Sequence, residues 1–140
     1  MSDETFEDLL ETFEFMDDWE DRYRYVIDLG KQLPPMDDAL KTNASKVDGC
    51  ASQVWLSPSM EGEGAERRLT FLGDSDAMIV RGLIAILRIL LNERPPSEIA
   101  AADPLADFAK LGMDQHLSAQ RSNGLRAMIA RLQSLAAAAA

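Results

Sequence analysis

The chain is 140 residues long and 46% hydrophobic, the size and apolar content of one domain with one core. Its 24 acidic residues against 14 basic ones leave a formal charge of -10, which argues against nucleic acid or an anionic lipid surface as the main partner, since both need a basic footprint. One cysteine and one histidine exclude an internal disulfide, the usual zinc ligand sets and an iron–sulfur cluster held by this chain alone, and they fit a reducing, cytoplasmic compartment.

The first residues, MSDETFEDLLETF, have neither the basic start nor the apolar run of a signal peptide. Residues 1–28 hold 11 acidic and 2 basic side chains, which leaves 13 against 12 elsewhere, so the charge is concentrated in an amino-terminal arm, residues 1–33. Within it Phe6, Leu9, Leu10 and Phe13 recur at helical spacing and predict an amphipathic helix from about Asp3 to Phe15. A second helix starts at Trp19 behind a cap by Asp17 or Asp18. Its inner face is Trp19, Tyr23, Val26, Ile27 and Gly30, and Pro34-Pro35 ends it. The two helices are expected to pack as a hairpin.

From Lys41 the chain turns small and polar, and a sheet is expected over about residues 46–73, beginning near Val47. Val54 and Leu56 share one face, Gln53, Trp55 and Ser57 the other, and the turn-rich PSMEGEGAE joins them to RRLTFLG as an antiparallel hairpin. Asp74, Ser75 and Asp76 offer capping oxygens to a helix from Ala77 to Asn92. That helix is the longest apolar segment, but Arg81 and Arg88 interrupt it and it is shorter than the roughly 20 residues of a membrane span. It reads as the core helix, with no membrane partner. Gly82 costs about 1 kcal/mol there against alanine, which predicts close backbone packing against the sheet. Pro95-Pro96 and Asp103-Pro104 each open a short helix. Leu125, Met128, Ile129, Leu132 and Leu135 mark a final amphipathic helix, trailed by a fraying alanine run at 136–140. The helical remainder is thus 74–135, and the whole is one α+β domain with a small antiparallel sheet of about three strands packed on helices.

Cys50 is the one strong nucleophile. It follows Gly49 in VDGCASQVW, where a glycine-permitted tight turn can present the thiol at the tip of a loop; the alternative is a small inert hydrophobe at the end of the sheet. A thiol with pKa about 8.5 is only slightly ionised near neutrality and needs neighbouring positive charge to react. Asp48 works against that, whereas Arg121 and His116 can supply it if the last loop folds back over the cysteine. Taken alone, His116 reads as a hydrogen-bonded surface histidine and Arg121 as a surface or helix-start residue. A hydrolase or transferase built on Cys50, His116 and Asp114 lacks a local signature around the cysteine, and there is no glycine-rich phosphate loop.

Four blocks, WEDRYRYVIDLGKQLPPM, GCASQVW, GDSDAMIVRGLIAIL and QHLSAQRSNGL, in this order and spacing, resemble the SufE/CsdE family of sulfur-acceptor proteins, from about Trp19 to about Ile129. The resemblance implies an α+β sandwich shared with IscU-type scaffold proteins. It also implies that Cys50 takes sulfane sulfur from a SufS-like, pyridoxal-phosphate cysteine desulfurase, stimulates that enzyme, and passes sulfur to a SufB or SufBCD-like scaffold for iron–sulfur cluster assembly. The chain then binds no cofactor of its own, since the pyridoxal phosphate belongs to the desulfurase. By the same matching Asp48, Gly49, Ser52, Gln53, Asp74, His116 and Arg121 support the acceptor loop or the partner surface. Two departures stand out: Ala51 replaces a larger, often polar residue, and Asp48 brings a negative charge that disfavours the thiolate until a desulfurase displaces the loop. Three rival readings remain. A CsdE-like protein serves another desulfurase and recipient, a partner-independent thiol hydrolase or transferase turns over a small substrate, and a regulatory binding module does not use its thiol. A homodimer is compatible with the sequence and not required by it.

Overall fold

The computed structural model describes residues 5–49 and 52–139. Helix α1 (Phe6–Glu14) opens with a reciprocal capping box, in which the Thr5 hydroxyl accepts from the Asp8 N–H and the Asp8 carboxylate from the Thr5 N–H. Helix α2 (Trp19–Lys31) is capped by Asp18, whose Oδ1 accepts from the Glu20 N–H at 3.0 Å. The expected α1–α2 hairpin is only partial. Phe13 meets Trp19 and Tyr25 edge-on, with centroids 6.2 and 6.4 Å away, but the length of α2 lies along the core helix instead.

That core helix, α3 (Met78–Leu91), buries Leu83, Ile84, Ile86 and Leu87 completely, and each such side chain contributes about 1.5–3 kcal/mol. α2 covers one side of it and the sheet the other. Contrary to the sequence expectation, Gly82 faces α2 rather than the sheet: a Cβ on it would lie 2.5 Å from Val26 Cγ1, and one on Gly30 would lie 2.7 Å from the Gly82 nitrogen. The two helices therefore cross backbone to backbone at Gly30 and Gly82. The glycine that seats the sheet is Gly73, where a Cβ would meet Ile84 Cγ2 at 2.6 Å.

The sheet has two strands among the described residues, not about three. β1 (Val54–Glu61) pairs antiparallel with β2 (Arg68–Ser75), Val54 opposite Ser75 and Glu61 opposite Arg68. Val54, Leu56, Leu69 and Phe71 point into the core, as the period-2 reading requires. The expected strand near Val47 shrinks to one bridge. Val47 N–H donates to Val54 O at 2.8 Å and Leu56 N–H to Ser45 O at 2.9 Å, and the chain then turns at Asp48 and Gly49, with Gly49 at φ 91. The outer edge of β2 is closed by the segment after α3. Leu69 exchanges hydrogen bonds with Glu93 and Arg94, both 2.9 Å, the Asn92 side chain accepts from Phe71 N–H at 2.9 Å, and the Arg88 guanidinium donates to Phe71 O.

The short helices α4 (Pro96–Ala101) and α5 (Pro104–Lys110) start at prolines as expected, α5 with Asp103 as its cap. The last helix, α6 (Ala119–Ala139), packs on α4 and buries Leu125, Met128, Ile129 and Leu132. It runs on through the alanine segment, where Ala136 is fully buried. Gln133 closes the end of α4 by donating to the carbonyls of Ile99 and Ala102 at 3.3 and 2.8 Å.

Candidate functional site

Cys50 and Ala51 lie outside the described residues; the residues flanking them in sequence are placed. On the amino-terminal side, Thr42 and Ser45 brace the loop by exchanging backbone-to-hydroxyl hydrogen bonds of 3.0 and 3.3 Å. Arg131 of α6 reaches the same loop, donating to the Ala44 carbonyl and, at 3.5 Å, to that of Lys46. One turn earlier on α6, Ala127 stands 3.4 Å from where a Gly49 Cβ would be, so α6 carries the loop at two points. On the carboxyl-terminal side, Gln53 N–H donates to Asp76 Oδ1 at 3.1 Å and Asp76 N–H returns a bond of 3.3 Å to Gln53 O. This clamp ties the entry of β1 to the turn before α3.

Ser52 opens onto a cavity of about 300 Å³ between β1, α3 and α6. Its floor is apolar, made by Val54, Val80, Leu83, Leu125 and Met128, and Ser118 and Arg121 stand with Ser52 on its polar part. Ser118 caps α6, its hydroxyl accepting from the Arg121 N–H at 3.2 Å. Arg121 therefore holds a cation in the first turn of a helix, where the macrodipole disfavours one. Arg121 is exposed and brings its positive charge to the rim of the cavity. A cation at the rim of an apolar pocket favours the anionic form of an acidic group held there over its protonated form.

The other expected site residues fall elsewhere. Asp48 is exposed. His116 is stacked on Trp19, centroids 3.7 Å apart and planes 13° from parallel, with Nδ1 3.0 Å from the Gly112 carbonyl oxygen. Asp74 is the last residue but one of β2 and not a cap. α3 is preceded by Ala77, whose N–H is taken by the Ser75 hydroxyl at 3.2 Å. Instead Asp74 lies 2.9 Å from Lys41 Nζ and 3.2 Å from Arg81 Nε, on the sheet face that also carries Trp55, with Lys41 5.4 Å from the Trp55 ring centroid. The group joins the loop before the cysteine to β2 and α3. The roles of Lys41 and Arg131 are invisible in sequence because Asp74 and the Ala44 and Lys46 carbonyls are distant in the chain, and that of Arg81 because Asp74, seven residues earlier, lies on a different element. The only hint of Arg131 is a cation on a helix otherwise rich in alanine.

Burial pushes the Asp74 carboxyl up, but the hydrogen bonds from Lys41 and the Ser75 N–H, with the charges of Lys41 and Arg81, outweigh it and hold the pKa below the usual carboxylate value. The hydrogen bond to Asp74 is the first cause raising Lys41. A depressed carboxyl contributes stability above its unfolded pKa of about 3.9 and loses it as the pH falls through the lower folded value. Asp74→Asn is expected to cost about 1–2 kcal/mol near neutrality, between exposed and buried ion pairs. The deficit should shrink below about pH 4. Urea titrations of both proteins across that range check it; a deficit independent of pH overturns it.

Among the described residues no three His, Cys, Asp or Glu side chains converge as metal ligands do, and no helix is long and apolar enough to cross a membrane. Comparison with known proteins places this architecture. A solution structure of a hypothetical protein from Thermus thermophilus superposes with a TM-score of 0.75 at 20% identity, covering 96% of this chain and 94% of that one, which establishes a shared α+β fold. The family model described as "SufE: Fe-S metabolism associated domain" matches residues 7–136. An uncharacterized SufE-like protein of Rhizobium meliloti is 50% identical over 93% of both chains, and the sulfur acceptor protein CsdE of Escherichia coli is 44% identical over 89% of this chain and 82% of its own. The chain belongs to the SufE family.

Proposed function

We propose that this protein accepts sulfane sulfur on Cys50 from a pyridoxal-phosphate cysteine desulfurase, accelerates that enzyme by unloading it, and hands the sulfur to an assembly protein. The observation that carries the reading is the meeting of Ser52 and Arg121 at one apolar cavity, two residues beyond the chain's only cysteine. The 44% identity to a protein named as a sulfur acceptor supports it independently.

The chemistry is thiol–persulfide exchange. The Cys50 thiolate attacks the terminal sulfur of the desulfurase persulfide; the old S–S bond breaks, its electron pair leaves on the desulfurase cysteine as a thiolate, and a new S–S bond forms on Cys50. No external oxidant or reductant enters. A recipient nucleophile takes the sulfur in the same way. The carbon–sulfur cleavage and the pyridoxal phosphate stay with the desulfurase, so this chain acts as shuttle and activator in the reducing cytoplasm. Delivery to a Suf-type scaffold for iron–sulfur cluster assembly is the destination we favour. The likeness to CsdE favours, as second reading, another desulfurase and recipient.

Incubation with a cysteine desulfurase and cysteine, followed by non-reducing intact-mass spectrometry, tests the proposal. The expected result is one sulfur atom added, removed by dithiothreitol, with faster desulfurase turnover. No addition beside an active desulfurase overturns it. Labelled sulfur chased into candidate recipients separates the two destinations.

A further inference from the structure

The cation at the cavity sits at the end of a chain of contacts that begins on a different helix. Trp19, the first residue of α2, is a fixed platform. Phe13 meets it edge-on, and the Arg22 guanidinium lies 4.9 Å from its ring centroid while donating to the carbonyls of Phe13 at 2.9 Å and Met16 at 2.8 Å. The turn that leads into α6 is built on this platform. Gly112 has φ 76, and a Cβ on it would lie 3.0 Å from Trp19 Cζ2, so its backbone lies against the ring as only glycine allows. His116 closes the turn from the other end, its ring stacked on Trp19 and its Nδ1 at the Gly112 carbonyl. A carbonyl only accepts, so Nδ1 carries the hydrogen. Met113, between the two, is fully buried. Two residues beyond His116, Ser118 takes the Arg121 N–H on its hydroxyl and the Ser122 N–H on its carbonyl, at 3.2 and 2.9 Å.

We propose that Trp19 and His116 are positioning residues for Arg121: the stacked rings fix the turn from Gly112 to His116, and the turn fixes where α6 begins and hence where Arg121 lines the cavity. The ring's flat contact with Trp19 is what the turn uses. The proposal rests on the reading of Arg121 as the group that favours the Cys50 thiolate. It does not need a desulfurase to be tested.

The measurement is the pH profile of Cys50 alkylation by iodoacetamide in the wild type, His116→Ala, His116→Phe, Arg121→Ala and the His116→Ala/Arg121→Ala double variant, with thermal midpoints alongside. An opposite charge nearby lowers a thiol pKa by a unit or more, so Arg121→Ala is expected to slow alkylation at neutral pH about tenfold. His116→Ala should slow it several-fold toward that limit, and His116→Phe, which keeps a flat ring on Trp19, should restore most of the rate. In the Arg121→Ala background the His116→Ala change should add nothing, because coupled residues do not add. An unchanged profile in His116→Ala, an unchanged profile in Arg121→Ala, or a His116 effect that persists in full without Arg121 each overturns the proposal. Failure of the wild type to take sulfur from a desulfurase, with this alkylation pattern intact, would overturn the acceptor reading and leave the positioning role standing.

Discussion

Gly82→Val is expected to remove about 3 kcal/mol or more of stability, a large share of the 5–15 kcal/mol that a domain possesses, and Gly82→Ala about 2 kcal/mol. Alanine and valine are better helix formers than glycine, by up to about 1 kcal/mol, so propensity alone predicts the opposite sign. What decides is the opposing surface. A Cβ at this position would press on the Val26 carbonyl oxygen and lie 2.8 Å from its carbon, and backbone cannot rotate away as a side chain can. The helices must separate, and every residue packed around the crossing of α2 and α3 loses contact; overpacking of this kind costs about 1–3 kcal/mol even where side chains can yield. Gly30→Ala acts on the same crossing, so the Gly30→Ala/Gly82→Ala pair should cost less than the sum of the single changes. Urea unfolding followed by circular dichroism reads the wild type and all four variants; a stabilised Gly82→Ala contradicts the steric account.

On the proposed reading, Cys50→Ser is expected to abolish sulfur uptake completely. A hydroxyl is far less nucleophilic toward sulfur than a thiolate, and the chain has no second cysteine to take over, so no residual activity should survive. The variant also separates the rival readings. A binding module would still stimulate the desulfurase after the substitution, whereas a shuttle would not, since its stimulation comes from carrying sulfur away. A free-standing hydrolase would lose turnover of a small substrate with no desulfurase present. Desulfurase turnover with wild type and variant, read beside intact mass, distinguishes all three.

The parts of this fold that were legible in the sequence are those specified by neighbours in the chain. Asp18 and Asp103 cap the helices they precede, and the alternation through Val54 and Leu56 put the right side chains in the core. The misreadings share one cause. Asp74 has the residue type and spacing of a helix cap, but Lys41, 33 positions earlier, and Arg81 from the next helix claim its carboxylate. Gly82 signals a close approach without saying to what, and α2 rather than the sheet answers it. Val47 has the composition of a strand, and a turn at Asp48 and Gly49 ends its pairing after one bridge. For the site, GCASQVW and RSNGL were conspicuous, while the arginine that anchors the loop before Cys50, Arg131, binds carbonyl oxygens there, a partner with no sequence signature.

Among the described residues, part of each margin of the two-stranded sheet is occupied by the chain itself. Along β1, Ser45 and Val47 take the outward-pointing groups of Leu56 and Val54, and the next outward position is Pro58, which has no N–H to offer. Along β2, Leu69 and Phe71 are matched by the segment from Arg88 to Arg94. A foreign strand therefore finds only a short free template along these margins, which disfavours fibril-like stacking and partner recognition by strand addition. On the reading proposed above, a protein that exchanges sulfur with this one meets it mainly through side chains and loops, contacts that form and release without a ladder of backbone bonds, as a carrier between two proteins requires.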